Sequence, residues 1–184
     1  MRTIVLAQIQ KGFTLVELMV TVAVLAILTT VGIPMYDSFI ENNRRVTTVN
    51  ELVSYIHYAH SEAVKRNRHV SLCPSTSGTG CNGSNWEDGW IVFVNNDNDF
   101  PALVDSGEEV LKVHESLDGP ATLRGATDIS NSITFRPKGY PLRQGELTYC
   151  DPDSPDNARG IQLRFSGRVT LTNETAAGDP LPCS

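Results

Sequence analysis

The chain has 184 residues, with 15 Lys and Arg against 21 Asp and Glu, a formal charge of -6 and an isoelectric point near 5.1. That balance excludes a protein that coats nucleic acid through bulk positive charge, because neutralising phosphates takes an excess or a sharp cluster of Lys and Arg. At 40% apolar and 20% charged residues it is not a disordered polymer either, and its length suits one core of ordinary domain size.

The apolar residues are unevenly distributed. Leu18 to Tyr36 is a run of nineteen residues without a charge, which as a helix spans roughly 28 Å, close to the thickness of a bilayer's hydrocarbon layer. The run is longer than the roughly 7 to 15 residues of a secretory signal, and no Ala-x-Ala cleavage site follows it before Tyr36. It predicts a membrane-inserted helix. Arg2 and Lys11 precede it, so the N-terminus is expected to stay cytoplasmic and residues after about Asp37 to be exported. Glu17 stands at the edge of this segment among Phe13, Leu15, Val16 and Leu18. A carboxylate there is costly and needs a partner that neutralises it. Cutting after Gly12 would create a free amine at Phe13.

Lys11-Gly12-Phe13-Thr14-Leu15-Val16-Glu17, followed by an apolar run that carries Gly32 and Pro34, resembles the type III signal of type IV pilins and type II secretion pseudopilins. The resemblance covers roughly residues 11 to 36. It implies that a prepilin peptidase cuts after Gly12, that the new N-terminal Phe13 is methylated, and that Glu17 pairs with a neighbouring subunit's terminal amine during filament assembly. Loss of Arg2 and Lys11 with the leader would leave a side-chain charge of -8. Pro34, with Gly32, is expected to kink the helix, since proline removes one helical hydrogen bond and crowds the preceding turn.

Beyond the apolar run, Val49, Leu52, Val53, Ile56, Ala59, His60 and Ala63 form one stripe at three-and-four spacing, with Glu51, Glu62, Lys65 and Arg66 elsewhere on the wheel. This part of the helix should pack on a globular domain. Lys65, Arg66 and Arg68 cluster where it should end, matching the helix dipole. From His69 onward the texture is that of strands: 69–73, 90–94, 110–115, 132–135, 146–150, 161–165 and 168–172, with a tight turn at Gly167. The expected fold is α+β, a pilin fold in which a long N-terminal α-helix packs on a C-terminal antiparallel β-sheet domain. Four segments follow: a leader (1–12), a transmembrane and assembly helix (13–36), its amphipathic continuation (37–68) and a periplasmic head (69–184).

Cys73, Cys81, Cys150 and Cys183 all fall in the part expected to be exported, where disulfides persist. Three pairings are open. The favoured one joins Cys73 to Cys81 and Cys150 to Cys183, closing a Gly/Ser-rich loop and stapling the tail. A zinc site lacks any Cys-x-x-Cys pair, so no metal is expected there. Nine acids face one base between Trp86 and Gly119, and Asn95 to Asp99 supplies oxygens at alternate positions. The glycine and distal glutamate of a calcium loop are misplaced, and a solvated acidic turn is preferred. Trp86 and Trp90 read as packing aromatics. His57 and His60 lie three apart on the helix with no third ligand, and no nucleophile elbow, zinc-protease motif or phosphate loop occurs. Neither catalysis nor a cofactor is expected.

Ser61 to Arg66, Trp86-Glu87-Asp88-Gly89-Trp90-Ile91-Val92-Phe93, Gly107-Glu108-Glu109-Val110-Leu111 and Phe165-Ser166-Gly167-Arg168 together resemble the FimT/FimU minor pilins and the H-type minor pseudopilin of type II secretion. The resemblance implies a structural subunit whose partners are other minor and major pilins, the prepilin peptidase and the inner membrane. Its head would be periplasmic before assembly and carried in a pilus or pseudopilus afterwards. Some members of that branch bind DNA through a Gly-Arg motif. Gly167-Arg168 and Arg164 are the corresponding candidates, in a stretch (124–168) with seven bases and five acids. The expected function is a minor type IV pilin that primes assembly from a tip complex. The alternatives are a type II secretion pseudopilin and a DNA-binding pilin for natural transformation.

Overall fold

The computed structural model describes residues 12–152, 154–175, 178–181 and 183, with the side chains of 31–35, 37 and 38 outside that set. The chain falls into two compact units, residues 1–42 and 43–184.

The first unit is helical from Leu15 on. Helix α1 spans Leu15–Arg66 and so runs on into the second unit. It begins at Thr14, whose carbonyl accepts the Leu18 N–H at 3.2 Å and whose hydroxyl accepts the Glu17 N–H at 3.2 Å, the two bonds of an N-cap. Gly32 and Pro34 lie within the helical span; the side-chain surroundings expected to mark a kink lie outside the described residues. Among the described residues no helix is long and apolar enough to cross a membrane.

In the second unit α1 ends at Asn67, which takes the left-handed conformation (φ 52°). Asn67 N–H bonds the Val64 carbonyl and Arg68 N–H bonds that of Ala63, so two otherwise orphaned carbonyls are satisfied. Eight strands follow among the described residues: β1 (His69–Pro74), β2 (Trp90–Asn95), β3 (Val110–His114), β4 (Thr122–Gly125), β5 (Ile133–Phe135), β6 (Gly145–Cys150), β7 (Arg159–Leu163) and β8 (Val169–Thr172). They form two antiparallel four-stranded sheets, ordered β3-β2-β1-β5 and β4-β6-β7-β8. Seven strands were expected. The additional one, β4, directs only Leu123 fully into the core, too little for a periodic signal. The strand expected over 161–165 also shifts: β7 ends at Leu163, because Arg164 to Gly167 forms the turn, with Gly167 N–H on the Arg164 carbonyl at 2.9 Å.

The main core joins Val49, Leu52, Ile56, Ala59 and Ala63 of α1 to both sheets: Val70, Leu72, Trp90 and Val92 on one, Leu123, Leu147, Tyr149, Ile161 and Leu163 on the other. In the second sheet β6 sets half-buried Thr148 between buried Leu147 and Tyr149, whereas β7 is buried from Gly160 to Leu163. In the first sheet β2 is buried along its whole length. Its other face carries Cys73, Ile91 and Phe93, covered by Ala102 and flanked by Cys81 and Val104. A strand covered on both faces reads as a continuous apolar run, as Trp90-Ile91-Val92-Phe93-Val94 does. The polar side chains sealed there satisfy one another: the Ser71 and Thr134 hydroxyls lie 2.8 Å apart, and Asn95 Nδ2 donates to Ser71 Oγ at 3.2 Å.

The cysteines pair as Cys73 with Cys81 (Cα to Cα 5.4 Å) and Cys150 with Cys183 (5.6 Å). By loop-closure entropy these links contribute roughly 2.6 and 3.8 kcal/mol.

Candidate functional site

The chemistry suggested by the sequence begins at the start of α1. Gly12 and Phe13 are non-helical and exposed, Phe13 at 82%. Glu17 is in the first turn of α1 and exposed, and every described side chain from Phe13 to Thr30 is exposed, including Leu15, Val16, Leu18, Met19 and Leu25. The hydroxyls in this segment are satisfied inside the helix: Thr21 donates to the Leu18 carbonyl (2.9 Å), Thr29 to those of Leu25 and Ala26 (3.0 Å each) and Thr30 to that of Ile27 (3.0 Å). The helix therefore presents an apolar surface in which Glu17 is the single acidic group from residue 12 to 30. Such a surface needs lipid or other helices to cover it. Thr14 was not singled out from the sequence as a functional residue, although Thr14-Leu15-Val16-Glu17 has the Thr-x-x-Glu spacing of a helix start.

In the head, one expectation about the helix needs correction. Glu62 was placed away from the packed face, but it is buried, at 6% exposure. Lys65 Nζ reaches its Oε1 at 3.2 Å and Arg66 Nε its Oε2 at 2.6 Å, while Arg66 Nη1 bonds Glu109 at 2.6 Å. A carboxylate can be buried when charge-assisted hydrogen bonds replace its water. The basic cluster at the helix end thus does more than complement the dipole: Arg66 ties α1 to the segment before β3, and Arg68 Nη1 donates to Asn96 Oδ1 at 2.6 Å.

The Arg66 hydrogen bond, first among its causes, holds the Glu62 carboxyl below its ordinary 4.5. Its contribution to stability is therefore complete above the unfolded-state value and is lost as pH falls through the lower folded one. Burial, and then the charge of Arg136, similarly hold the His69 imidazole below its usual value, so its contribution too is lost on acidification. Asp99 acts oppositely: burial raises it, so its contribution is present in acid and fades as pH rises. Glu62→Gln is expected to lower the melting temperature at pH 7 and to flatten its decline between about pH 5 and 3. Thermal melts across that range check this; an unchanged acid slope would refute the assignment.

Trp90 stacks on His114 (centroids 3.8 Å apart, 9° between planes), and Tyr55 meets both rings edge-on. Trp86 is buried and donates Nε1–H to the Ile129 carbonyl at 3.2 Å. Both tryptophans therefore pack the core. His57 is exposed, whereas His60 packs edge-on against Phe135. Two turns press on the His60 ring, and a Cβ at Gly139 would fall 2.7 Å from its Nε2. At Gly167 a Cβ would lie 2.9 Å from the Gly139 carbonyl, and its φ of 78° also favours glycine. Gly167 is thus required by backbone approach. Arg164 and Arg168, on either side of this turn, are exposed; Arg164 Nη2 donates to Gln162 Oε1 at 2.8 Å, and Gln162 in turn bonds Glu146.

The acidic turn is internally bonded. Asp99 accepts from Asn95 Nδ2 and from Leu103 N–H, each at 2.9 Å. Oxygens of Asp97, Asp99 and Asp105 lie within 4.8 Å of one another, close enough to hold a hard cation, though exposed carboxylates often gather without one.

A family model described as "Type II transport protein GspH" matches residues 48–167, more than half of the chain. The chain belongs to the GspH family. A second, "Prokaryotic N-terminal methylation motif", matches residues 8–33 and so spans Gly12, Phe13 and Glu17. The fold is similar to that of the type IV minor pilin FimU of Pseudomonas aeruginosa, with a TM-score of 0.56 at 21% identity over 73% of this chain and 92% of that one. In sequence the chain is similar to Prepilin peptidase-dependent protein D of Escherichia coli (34% identity over 74 residues, 40% of this chain and 47% of that protein). It is also similar to Fimbrial protein Q of Moraxella bovis (40% over 45 residues, 24% and 29%). The chain spans less than half the length of these curated relatives. This GspH-family chain combines the N-terminal methylation motif with a pilin-like fold in which the second part of a long helix packs on antiparallel sheets.

Proposed function

We propose that this chain is a minor type IV pilin. It inserts in the inner membrane through its N-terminal helix with the head in the periplasm, is cut by prepilin peptidase between Gly12 and Phe13, and is methylated at Phe13. It then docks on other pilins and primes the filament from a tip complex. The observation that carries this reading is the exposed apolar first part of α1, with Glu17 as its lone acid, in the same chain as a GspH head. Apolar packing drives docking, and a neighbouring terminal amine neutralises Glu17. The likeness to FimU supports this choice at the level of the fold.

A minor pseudopilin of a type II secretion system is the second reading, favoured by the family description itself. Its helix requires the same chemistry. DNA capture is not adopted: the Arg164 guanidinium is engaged with Gln162.

The test is in-frame deletion of the gene, with surface pili sheared and blotted for the major pilin. A large fall in piliation, restored by the wild-type chain, is expected. Unchanged piliation together with lost export of secreted enzymes would transfer the chain to the secretion machine.

A further inference from the structure

We propose that Thr14 is a positioning residue for maturation: as the N-cap of α1 it keeps the Gly12–Phe13 peptide in non-helical chain, open to the peptidase. The inference rests on the cleavage assigned above. In the reaction, water adds across the Gly12–Phe13 amide; Gly12 leaves as a carboxylate and Phe13 as the new amine. The nucleophile must reach the Gly12 carbonyl carbon, so that peptide has to lie outside a helical turn.

The geometry supplies this condition. The Thr14 hydroxyl and carbonyl accept the Glu17 and Leu18 N–H groups, each at 3.2 Å, and the helix starts at Leu15. Gly12 and Phe13 precede it and are exposed, and a Cβ built on Gly12 would meet nothing within 4 Å. Without an acceptor at residue 14, the next favourable cap upstream is Gly12, since glycine caps about as well as threonine. A helix starting there would bond the Gly12 carbonyl to the Val16 N–H, occupying the carbonyl that must be attacked. Next to a membrane, where unpaired N–H groups are costly, extending the helix wins over fraying its first turn.

The experiment presents the full chain in membrane vesicles to purified prepilin peptidase and follows loss of the leader by mass. Thr14→Val, which keeps the shape and removes the acceptor, is expected to be cut about fivefold more slowly, while Thr14→Ser restores the wild-type rate. Amide exchange should show the Val16 N–H gaining protection in the valine variant, while the Glu17 N–H stays protected, now by the Phe13 carbonyl. Equal rates for wild type and Thr14→Val, or no rescue by serine, would overturn the proposal. Slower cutting with an unmoved helix start would overturn it too, since the peptidase would then be reading the hydroxyl itself. A wild-type chain that is not cut after Gly12 at all would instead bring down the maturation reading, and this inference with it.

Discussion

Glu17→Ala is expected to cut recovery of the chain in sheared filaments at least tenfold while leaving removal of the leader largely intact. The first part follows from the cost of charge in apolar surroundings. Removing one partner of a buried ion pair strands the other and costs about 3 to 5 kcal/mol; in the proposed assembly the stranded partner would be a neighbour's terminal ammonium, held against packed helices. The second part follows from the local geometry. What Thr14 caps is the backbone N–H of residue 17, which alanine retains, so the start of α1 and the exposed Gly12–Phe13 peptide should be unchanged. Equal recovery of mutant and wild-type chains from sheared filaments would refute the assembly role. Glu17→Gln, which keeps hydrogen bonding without charge, is expected to fall between the two.

The largest expected effect on the head comes from Ile56→Ala. Ile56 has no exposed surface and lies in the core shared by α1 and both sheets. Truncating a buried isoleucine removes its transfer free energy and leaves a cavity, for about 2 to 5 kcal/mol. In a chain of this size each kcal/mol lowers the melting temperature by roughly 2 to 4 °C, so a drop of roughly 4 to 20 °C is expected. Ser54→Ala, on the exposed side of the same helix, should stay within about 0.5 kcal/mol of wild type. Melting of the full chain in detergent, followed by circular dichroism, compares the two. Similar melting of both variants would mean that the helix does not anchor the sheets through Ile56.

The GspH match over residues 48–167 and the methylation motif over 8–33 bear on different parts of this chain's work. On the proposed reading the motif region carries maturation and docking, which would depend on a few residues near one helix end, and the GspH match covers most of the head. Neither separates a pilus from a secretion pseudopilus, because the helix chemistry is common to both. That distinction lies with the partners of the exposed surface, and the deletion experiment addresses it directly.

Much of the candidate site was legible from residues 11 to 17, because its features are local. Glycine, an aromatic residue and a carboxylate at fixed spacing before an uncharged run need no distant contact to be recognised. Thr14 was equally legible, since a Thr-x-x-Glu start before an apolar run is a capping signal, but the assembly reading of Glu17 drew attention to the carboxylate alone. The helical stripe from Val49 to Ala63 was also readable, and its five fully packed members lie in the core. Tyr55, buried edge-on against the stacked Trp90 and His114 rings, fell outside that stripe because the sheets cover a wider face of the helix than an aliphatic count shows.

Sequence alone was enough for the long helix, its apolar first part, the α+β class and seven of the eight strands, since periodicity and turn residues act over a few neighbours. Tertiary structure decided the rest. The two sheet orders, the short strand β4 and the second buried face of the first sheet depend on which distant segments meet, and no local pattern encodes that. Glu62 shows the limit in one residue. A helical wheel assigns a carboxylate to solvent; Lys65 and Arg66, one turn along, and Arg66's hold on Glu109 make its burial tolerable. That outcome is an energy balance set by the packed surroundings.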